Sequence, residues 1–399
     1  MQRAAWIILA SLGLSSAARA QSTPPSEPEA VPPAAPQEPP ASEVPAAPAS
    51  VPAPAVPPPP PAAEPPPPEA AEAEDDAKWP KLEFHARVMT GVEVEREHPK
   101  GNQPPEEETQ AGLFLEQAVV EAEVLISKRL ELELGFNLAN ATVRDAFVNY
   151  RVDDALQLRI GRFKRPFSRV ELRSRGKLPF RDRGLFNSLL DDSGYVGRTL
   201  AGMVWGKPLP QLRYFVAGAS PAPLGADIEG LDLVARVAYD PNQWLSIGVN
   251  GLHKWSERSA DGEALRVSAV GADAKLDVGA LSISLEVDAA QNPDPPPVAD
   301  ESASSRTPWA LGVLGYGDYT WQLSKKWTIA VVGVLEWMDS DTEYEKDERI
   351  RAVAGLSWNF KKNALRIMPQ VELTRPLGEA DARGEVASET YYLLVSAEI

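Results

Sequence analysis

The feature that most constrains this chain is an alternation of apolar and polar side chains with a period of two residues. In residues 81–95 the even positions include Leu82 and Phe84, and the odd positions include Glu83 and His85. Successive side chains of a strand point to opposite faces. The pattern therefore predicts a β-strand with one apolar face and one charged face.

The same alternation predicts sixteen strands in all. They cover residues 81–95, 113–126, 130–138, 143–152, 156–163, 197–206, 212–219, 231–239, 244–254, 265–278, 280–289, 309–323, 327–338, 349–360, 364–374 and 388–399. Tight turns such as 324–326 alternate with longer polar connections such as 291–308. An even number of strands joined in this way predicts an all-β fold, a transmembrane antiparallel β-barrel with its short turns on the periplasmic side.

A soluble, secreted β-protein also alternates, so period two alone does not put the apolar face outward. The opposite face, however, carries too many charges for a packed core, because unpaired buried charges are costly. Aromatic residues also gather at strand ends beside short turns, as in the interfacial girdle of a membrane barrel. These aromatics, for which ordinary core packing is the alternative, are Tyr239, Trp244, Trp321, Trp327, Trp358 and Phe360.

Residues 1–20 have the pattern of a signal peptide. Arg3 precedes an apolar run, and Ala18 and Ala20 form a small-x-small site that predicts cleavage at about Ala20/Gln21. A short membrane anchor is the alternative, but the run is too short to span the hydrocarbon core. The chain has no cysteine, hence no lipid anchor or disulfide framework. The final strand also resembles the one by which outer-membrane assembly recognises its clients. We expect outer-membrane localisation and contact with its lipid.

Residues 21–77 contain 21 of the 39 prolines and consist almost wholly of Pro, Ala, Glu, Ser and Val. Such a composition cannot bury enough apolar surface to fold. We expect a disordered periplasmic tether, either a spacer or a contact to peptidoglycan or a periplasmic protein, followed by the barrel domain at 78–399. Residues 1–77 hold ten acidic and two basic residues, which leaves about −9 of the total charge of −17 for the rest. This balance argues against a nucleic-acid partner.

The third outer connection, residues 164–196, is the longest in the predicted barrel. It and the preceding strand hold the densest run of basic residues in the chain. General porins fold this loop into the lumen, where fixed positive charge in a narrow passage favours anions. The predicted anion-binding or constriction residues are Arg159, Arg165, Arg169, Arg173, Arg175, Lys177, Arg181 and Arg183.

The same region contains a recognisable motif: Gly161, Phe163, Lys164, Pro166, Phe167 and Ser168, then Glu171, Leu172, Ser174, Phe180 and Arg183. It resembles the signature of the phosphate-selective porin O and P family. The resemblance implies a homotrimeric, anion-conducting channel in which loop and wall cations guide phosphate-like anions. On the wall, the residues of inward phase are Arg151, Arg159, Arg213, Arg236, Arg351 and Arg366.

Acidic residues share the inward face of the predicted barrel. They are Glu121, Glu123, Glu131, Glu133, Asp145, Asp232, Glu286 and Glu372. Many of the arginines can therefore serve as salt-bridged partners that brace the barrel. This structural reading stands beside the anion-binding one for the wall and for the loop.

Other chemistry is sparse. The three histidines, His85, His98 and His253, are too scattered to predict a metal cluster, and no cofactor is predicted. There is no glycine-rich phosphate loop or nucleophile elbow. A hydrolase that uses His85 and a serine is the alternative to the prediction that the chain is not an enzyme. We expect passive diffusion of small anions, phosphate among them; the alternative is a structural envelope anchor that uses the tether and transports little.

Overall fold

A computed structural model describes residues 79–98, 108–220, 230–258, 264–293, 307–343, 347–361, 363–377 and 387–399. The predicted signal peptide and the predicted tether lie outside the described residues. Among the residues described, no helix is long and apolar enough to cross a membrane.

Sixteen strands form the described part of the fold. They are β1 (Lys81–Glu97), β2 (Glu108–Leu125), β3 (Leu130–Asn137), β4 (Thr142–Arg151), β5 (Gln157–Lys164), β6 (Arg198–Leu209), β7 (Leu212–Ala219), β8 (Asp232–Asn242), β9 (Leu245–Arg258), β10 (Ala264–Val278), β11 (Leu281–Gln291), β12 (Trp309–Gln322), β13 (Trp327–Asp339), β14 (Arg349–Phe360), β15 (Leu365–Pro376) and β16 (Ser388–Glu398).

Each strand pairs with its sequence neighbours in antiparallel fashion, and β1 pairs with β16 to close the barrel. All sixteen predicted strands are present, with limits within a few residues of the prediction. The largest difference is at β2, which begins at Glu108 and not at residue 113. Residues 108–112 do not show the apolar alternation, but they pair with 93–97 of β1. Backbone hydrogen bonds extend the strand beyond its side-chain pattern.

The apolar face of the barrel points outward and the charged face inward. On β13, Leu335 is 58% exposed, whereas the next residue, Glu336, is 1% exposed. Tyr239 and Trp244 are also exposed, at strand ends beside a short turn. This arrangement is the reverse of a soluble protein, in which charged side chains face water and apolar ones form the core. It confirms the predicted transmembrane barrel.

Two β-bulges change the alternation where charged residues line the lumen. Between β3 and β4 the pairing shifts at Leu134 and Phe136, so that Gly135 lies opposite two residues, Arg144 and Asp145. Both of these side chains are buried inside the barrel. A second shift between Met89 and Thr90 leaves one extra residue, Glu116, in β2. A bulge redirects a side chain, and here each one adds a charged residue to the inner face.

Candidate functional site

At the end of the barrel that carries the longer loops, the third connection folds back into the lumen. We call this connection, residues 165–197, the inner loop. Its two ends are adjacent because Lys164 of β5 lies opposite Arg198 of β6. It contains the short helix α1 (Arg169–Leu172), a 3₁₀ turn (Arg175–Lys177) and the helix α2 (Leu185–Asp192). The side chains of Phe167, Leu178, Phe180 and Tyr195 have no solvent exposure.

Apolar contacts fix the inner loop against part of the barrel wall. Leu178 and Phe180 pack with Leu314, Tyr316 and Tyr392, and the rings of Phe180 and Tyr316 have centroids 5.1 Å apart. Phe186 and Leu190 of α2 belong to a second cluster with Met338. The lumen on this side is therefore filled with side chains, as in the interior of a soluble protein.

Two wall carboxylates accept hydrogen bonds from the first residues of the two helices. Glu286 accepts from the backbone N–H groups of Arg169 and Val170, both at 2.9 Å. Glu336 accepts from Leu185 at 2.9 Å and Phe186 at 2.8 Å. The first N–H groups of a helix have no partner within it, and the helix dipole favours an anion there. Each glutamate thus satisfies buried donors and anchors one helix.

Most of the predicted loop cations are paired with carboxylates. Burial lowers the pKa of Arg183, and its partner Glu171 opposes that shift. The five pairs are Arg165 with Asp232 at 3.1 Å, Arg169 with Asp273 at 2.5 Å, Arg175 with Glu116, Arg181 with Glu93, and Arg183 with Glu171 at 3.1 Å. These five cations fasten the loop, and their charges are compensated locally.

The other three predicted constriction residues have no ion pair to a described residue. Lys177 is exposed and Arg173 is half-buried. The guanidinium of Arg159 lies over the ring of Phe147, 3.9 Å from its centroid, and 5.4 Å from that of Trp205. These three positive charges are the ones among the eight that remain available to a solute.

The wall arginines divide into braces and exposed residues. Arg351 is 1% exposed and contacts Asp182 at 2.8 Å, Glu372 at 2.7 Å and Glu336 at 3.4 Å. Arg236 and Arg366 are also buried: Arg236 pairs with Asp273 at 2.6 Å, and Arg366 donates to the carbonyls of Gly176 and Leu178 in the inner loop. Arg213 pairs with Asp240 near a short turn, and Arg151 is exposed at the end of β4.

A cavity of about 310 Å³ lies on the other side of the inner loop, between it and the inner face of β2–β7. Pro166, Leu172 and Ser174 line it on the loop side. Its charged lining residues are Arg144, Arg159, Lys164 and Arg198, together with Glu121, Glu133 and Asp145. The inner loop therefore fills one side of the lumen and leaves space beside a wall of mixed charge.

Several cations at this cavity are not fully paired. Arg198 forms a close pair with Asp145 at 2.8 Å, but Arg144 is 3.8 Å from Glu121. Among the described residues, the buried Nε atoms of Arg144 and Arg159 have no hydrogen-bond partner. A buried donor without a partner is costly. An anion in the cavity can satisfy such donors.

Sequence reasoning missed Arg144, Lys164 and Arg198 as cavity residues. The alternation places Arg144 on the lipid face, together with Ala146 and Val148, and only the bulge turns it inward. Lys164 and Arg198 flank the inner loop, at the strand ends where the alternation stops. Lys164 belongs to the recognised motif, so the motif was the one available signal for it.

Comparisons with solved structures agree with this fold. The chain is similar to an anion-selective porin from Comamonas acidovorans (TM-score 0.54, 10% identity, 80% of this chain and 100% of that one). It is also similar to the outer membrane channel DcaP of Acinetobacter baumannii (0.54, 10%, 80% and 97%). A third similar structure is the trimer form of OmpT, an outer membrane protein of Vibrio cholerae (0.51, 9%, 80% and 99%). At these identities the likeness shows the fold alone.

A search of curated protein sequences finds no match. The model of the family described as phosphate-selective porin O and P matches residues 122–277. The match runs from β2 to β10 and includes the whole inner loop, where the motif residues lie. It confirms the resemblance seen in the sequence and indicates a channel and not an enzyme. The chain is an outer-membrane porin whose residues 122–277 match the phosphate-selective porin O and P family.

Proposed function

We propose that this porin allows small anions to diffuse passively through the space between the inner loop and the inner face of β2–β7. The observation that carries the proposal is the cavity there, into which Arg144 and Arg159 bring guanidinium groups with unpaired N–H donors. Arginine suits this task because its planar group donates to two oxygens of one anion and stays charged at any relevant pH.

The charge balance of the cavity lining supports a moderate preference for anions over cations. Asp145 compensates Arg198, while the guanidinium of Arg159 rests on an aromatic ring and lacks a close carboxylate. Positive charge in a narrow passage with low-dielectric walls lowers the barrier for anions. Glu121 and Glu133 at the same cavity weaken this field. Phosphate, chloride and small carboxylates all fit this chemistry.

The predicted loop residues keep two different roles in this proposal. Arg173, Lys177 and Arg159 act on the solute, since they have no carboxylate partner among the described residues. Arg165, Arg169, Arg175, Arg181 and Arg183 hold the loop in place through their ion pairs. The constriction is therefore positioned by one set of arginines and charged by another.

Ion selectivity in planar lipid bilayers tests the proposal. Reversal potentials in a KCl gradient should show a preference for chloride, and Arg144→Gln and Arg159→Gln should each reduce it. Arg213→Gln is the matched control, because Arg213 is paired with Asp240 near a turn, away from the cavity. A cation preference in the unmodified protein, or an anion preference that both cavity variants leave unchanged, would contradict the proposal.

We also propose that the chain assembles as a homotrimer, as the family resemblance implies. One structurally similar protein, OmpT of Vibrio cholerae, is described in a trimer form. Light scattering of the protein in detergent should give three chains per particle after correction for bound detergent. A monodisperse monomer at micromolar concentration would contradict this assembly.

A further inference from the structure

Three potential metal ligands meet on the inner wall at the short-turn end of the barrel. Glu83 and His85 lie two residues apart on β1, and Glu123 lies on the neighbouring strand β2. One ligand atom from each side chain can be chosen so that all three lie within 4.8 Å of one another. The sequence analysis treated the three histidines as too scattered for a metal cluster, because it compared histidines with one another and not with the carboxylates of a neighbouring strand; His85 and Glu123 are 38 residues apart in the chain.

The strand register fixes this arrangement. Glu83 lies directly opposite Glu123, and His85 lies opposite Glu121, in an unbroken stretch of the β1–β2 ladder. On its other side Glu123 lies opposite Glu133 of β3. Since β-strand register holds the Cβ atoms of facing residues about 4.5–5.5 Å apart, the three ligands share one patch of wall regardless of side-chain rotation.

The cluster contains a repulsion that a cation would relieve. Like charges directly opposite each other on adjacent strands are destabilising, and here Glu83 faces Glu123, which in turn faces Glu133. Among the described residues, Glu83, His85 and Glu123 have no ion pair with a basic side chain. The basic residues around the cluster have other partners: Lys81 lies over the ring of Trp79, Arg87 pairs with Glu398, and Arg144 pairs with Glu121.

The imidazole distinguishes this cluster from an ordinary acidic patch. Carboxylates and water alone suit Ca²⁺ or Mg²⁺, whereas a histidine nitrogen together with carboxylate oxygens suits Zn²⁺ and similar ions. Ligand distances of about 2.0–2.2 Å place two donors of one Zn²⁺ at most about 4 Å apart. Small side-chain rotations bring the ligand atoms from their separations of up to 4.8 Å into that range. Glu83 and His85 are exposed, so their side chains have room to rotate.

We propose that Glu83, His85 and Glu123 form a binding site for a divalent transition-metal ion of the Zn²⁺ class on the lumen wall. Three protein ligands leave the remaining coordination positions to water. The site adjoins the cavity, because Glu121 and Glu133, which lie opposite His85 and Glu123, line it. A bound ion adds positive charge beside the passage without requiring any change in the barrel.

Metal titration of the full chain tests this site. The protein is purified from outer membranes in detergent without a histidine tag, stripped with a chelator and titrated with ZnCl₂ by calorimetry and with CoCl₂ by visible absorption. We expect one ion per chain, and Co²⁺ bands that Zn²⁺ displaces. His85→Gln and Glu123→Gln should each weaken binding at least about tenfold, in line with the cost of disturbing a metal site.

His98→Gln is the matched control, because His98 also lies 3.3 Å from a glutamate, Glu389, but at the opposite end of β1. Its binding should equal that of the unmodified chain. Heat-modifiable migration on a gel shows that each variant has folded, and Glu83→Gln replaces any variant that has not. No saturable binding, equal binding in all cluster variants, or an equal loss in the His98 control would overturn the proposal. These readouts do not depend on ion selectivity, so the site and the anion channel can fail separately.

Discussion

At the scale of single residues, burial separates the arginines that brace the barrel from those that face a solute. Arg351 is surrounded by Asp182, Glu336 and Glu372 and is 1% exposed. Among the described residues, Arg213 forms one ion pair, with Asp240, and its side chain is 44% exposed. A buried charge that loses its partner is costly, whereas an exposed ion pair contributes little. The same residue type therefore has different roles on one wall.

We expect Arg351→Met to lower the free energy of unfolding by about 3–5 kcal/mol, since it leaves buried carboxylates without their cation. Arg213→Gln should change it by about 0–1 kcal/mol, because water screens the exposed pair. Urea-induced unfolding of the barrel in detergent, followed by tryptophan fluorescence, measures both. Equal stability of Arg351→Met and the unmodified chain would show that Arg351 is not a brace.

At the scale of elements, the inner loop is an insertion between two strands that would otherwise form an ordinary hairpin. Lys164 and Arg198 are already opposite each other in the β5–β6 ladder. The loop is held by side-chain contacts with distant strands, through the two glutamates at its helices and through Arg366 and Gln370. The barrel ladder does not depend on these contacts, because it is closed by backbone hydrogen bonds between neighbouring strands.

Replacing residues 165–197 with an Asn-Gly turn should therefore leave the barrel intact and open the lumen. A sixteen-strand barrel without a loop inside it encloses an aqueous channel, so we expect single-channel conductance in KCl to rise severalfold. Asn-Gly is suited to a two-residue hairpin turn. Retained heat modifiability is the control for folding. An unchanged conductance would mean that the inner loop does not narrow the conducting path.

At the scale of the whole molecule, the closed barrel accounts for the channel without the proline-rich segment. The sixteen strands run from Lys81 to Glu398, and the backbone of Ala86 exchanges two hydrogen bonds of 3.0 Å with Ile399 at the point of closure. The described strands close this ladder by themselves. The roles of tether and channel are therefore separable by experiment.

Deletion of residues 22–77 should leave conductance and ion selectivity unchanged. Planar-bilayer recordings on the deleted and full chains make the comparison, and co-sedimentation with peptidoglycan measures attachment in parallel. A large loss of conductance would show that the segment takes part in the channel. Loss of attachment with intact conductance would support the anchoring role as an additional function of the tether.

The alternation of side chains was sufficient to predict the strands, because the lipid face and the lumen face impose their preferences on every second residue. That information is local, and it was enough to predict the number of strands and the alternation of short and long connections. It failed at Arg144, where a bulge opposite Gly135 reverses the phase. A bulge depends on the pairing between two strands, so the sequence of either strand does not show it.

The sequence by itself also determined where positive charge is concentrated, in the segment that carries the family motif. Only the tertiary structure decided what each charge does. Arg169 meets Asp273 across 104 residues of chain, and Arg165 meets Asp232 at the start of β8. Whether an arginine is compensated or free depends on such distant carboxylates, which barrel closure and the path of the inner loop bring within a few ångströms.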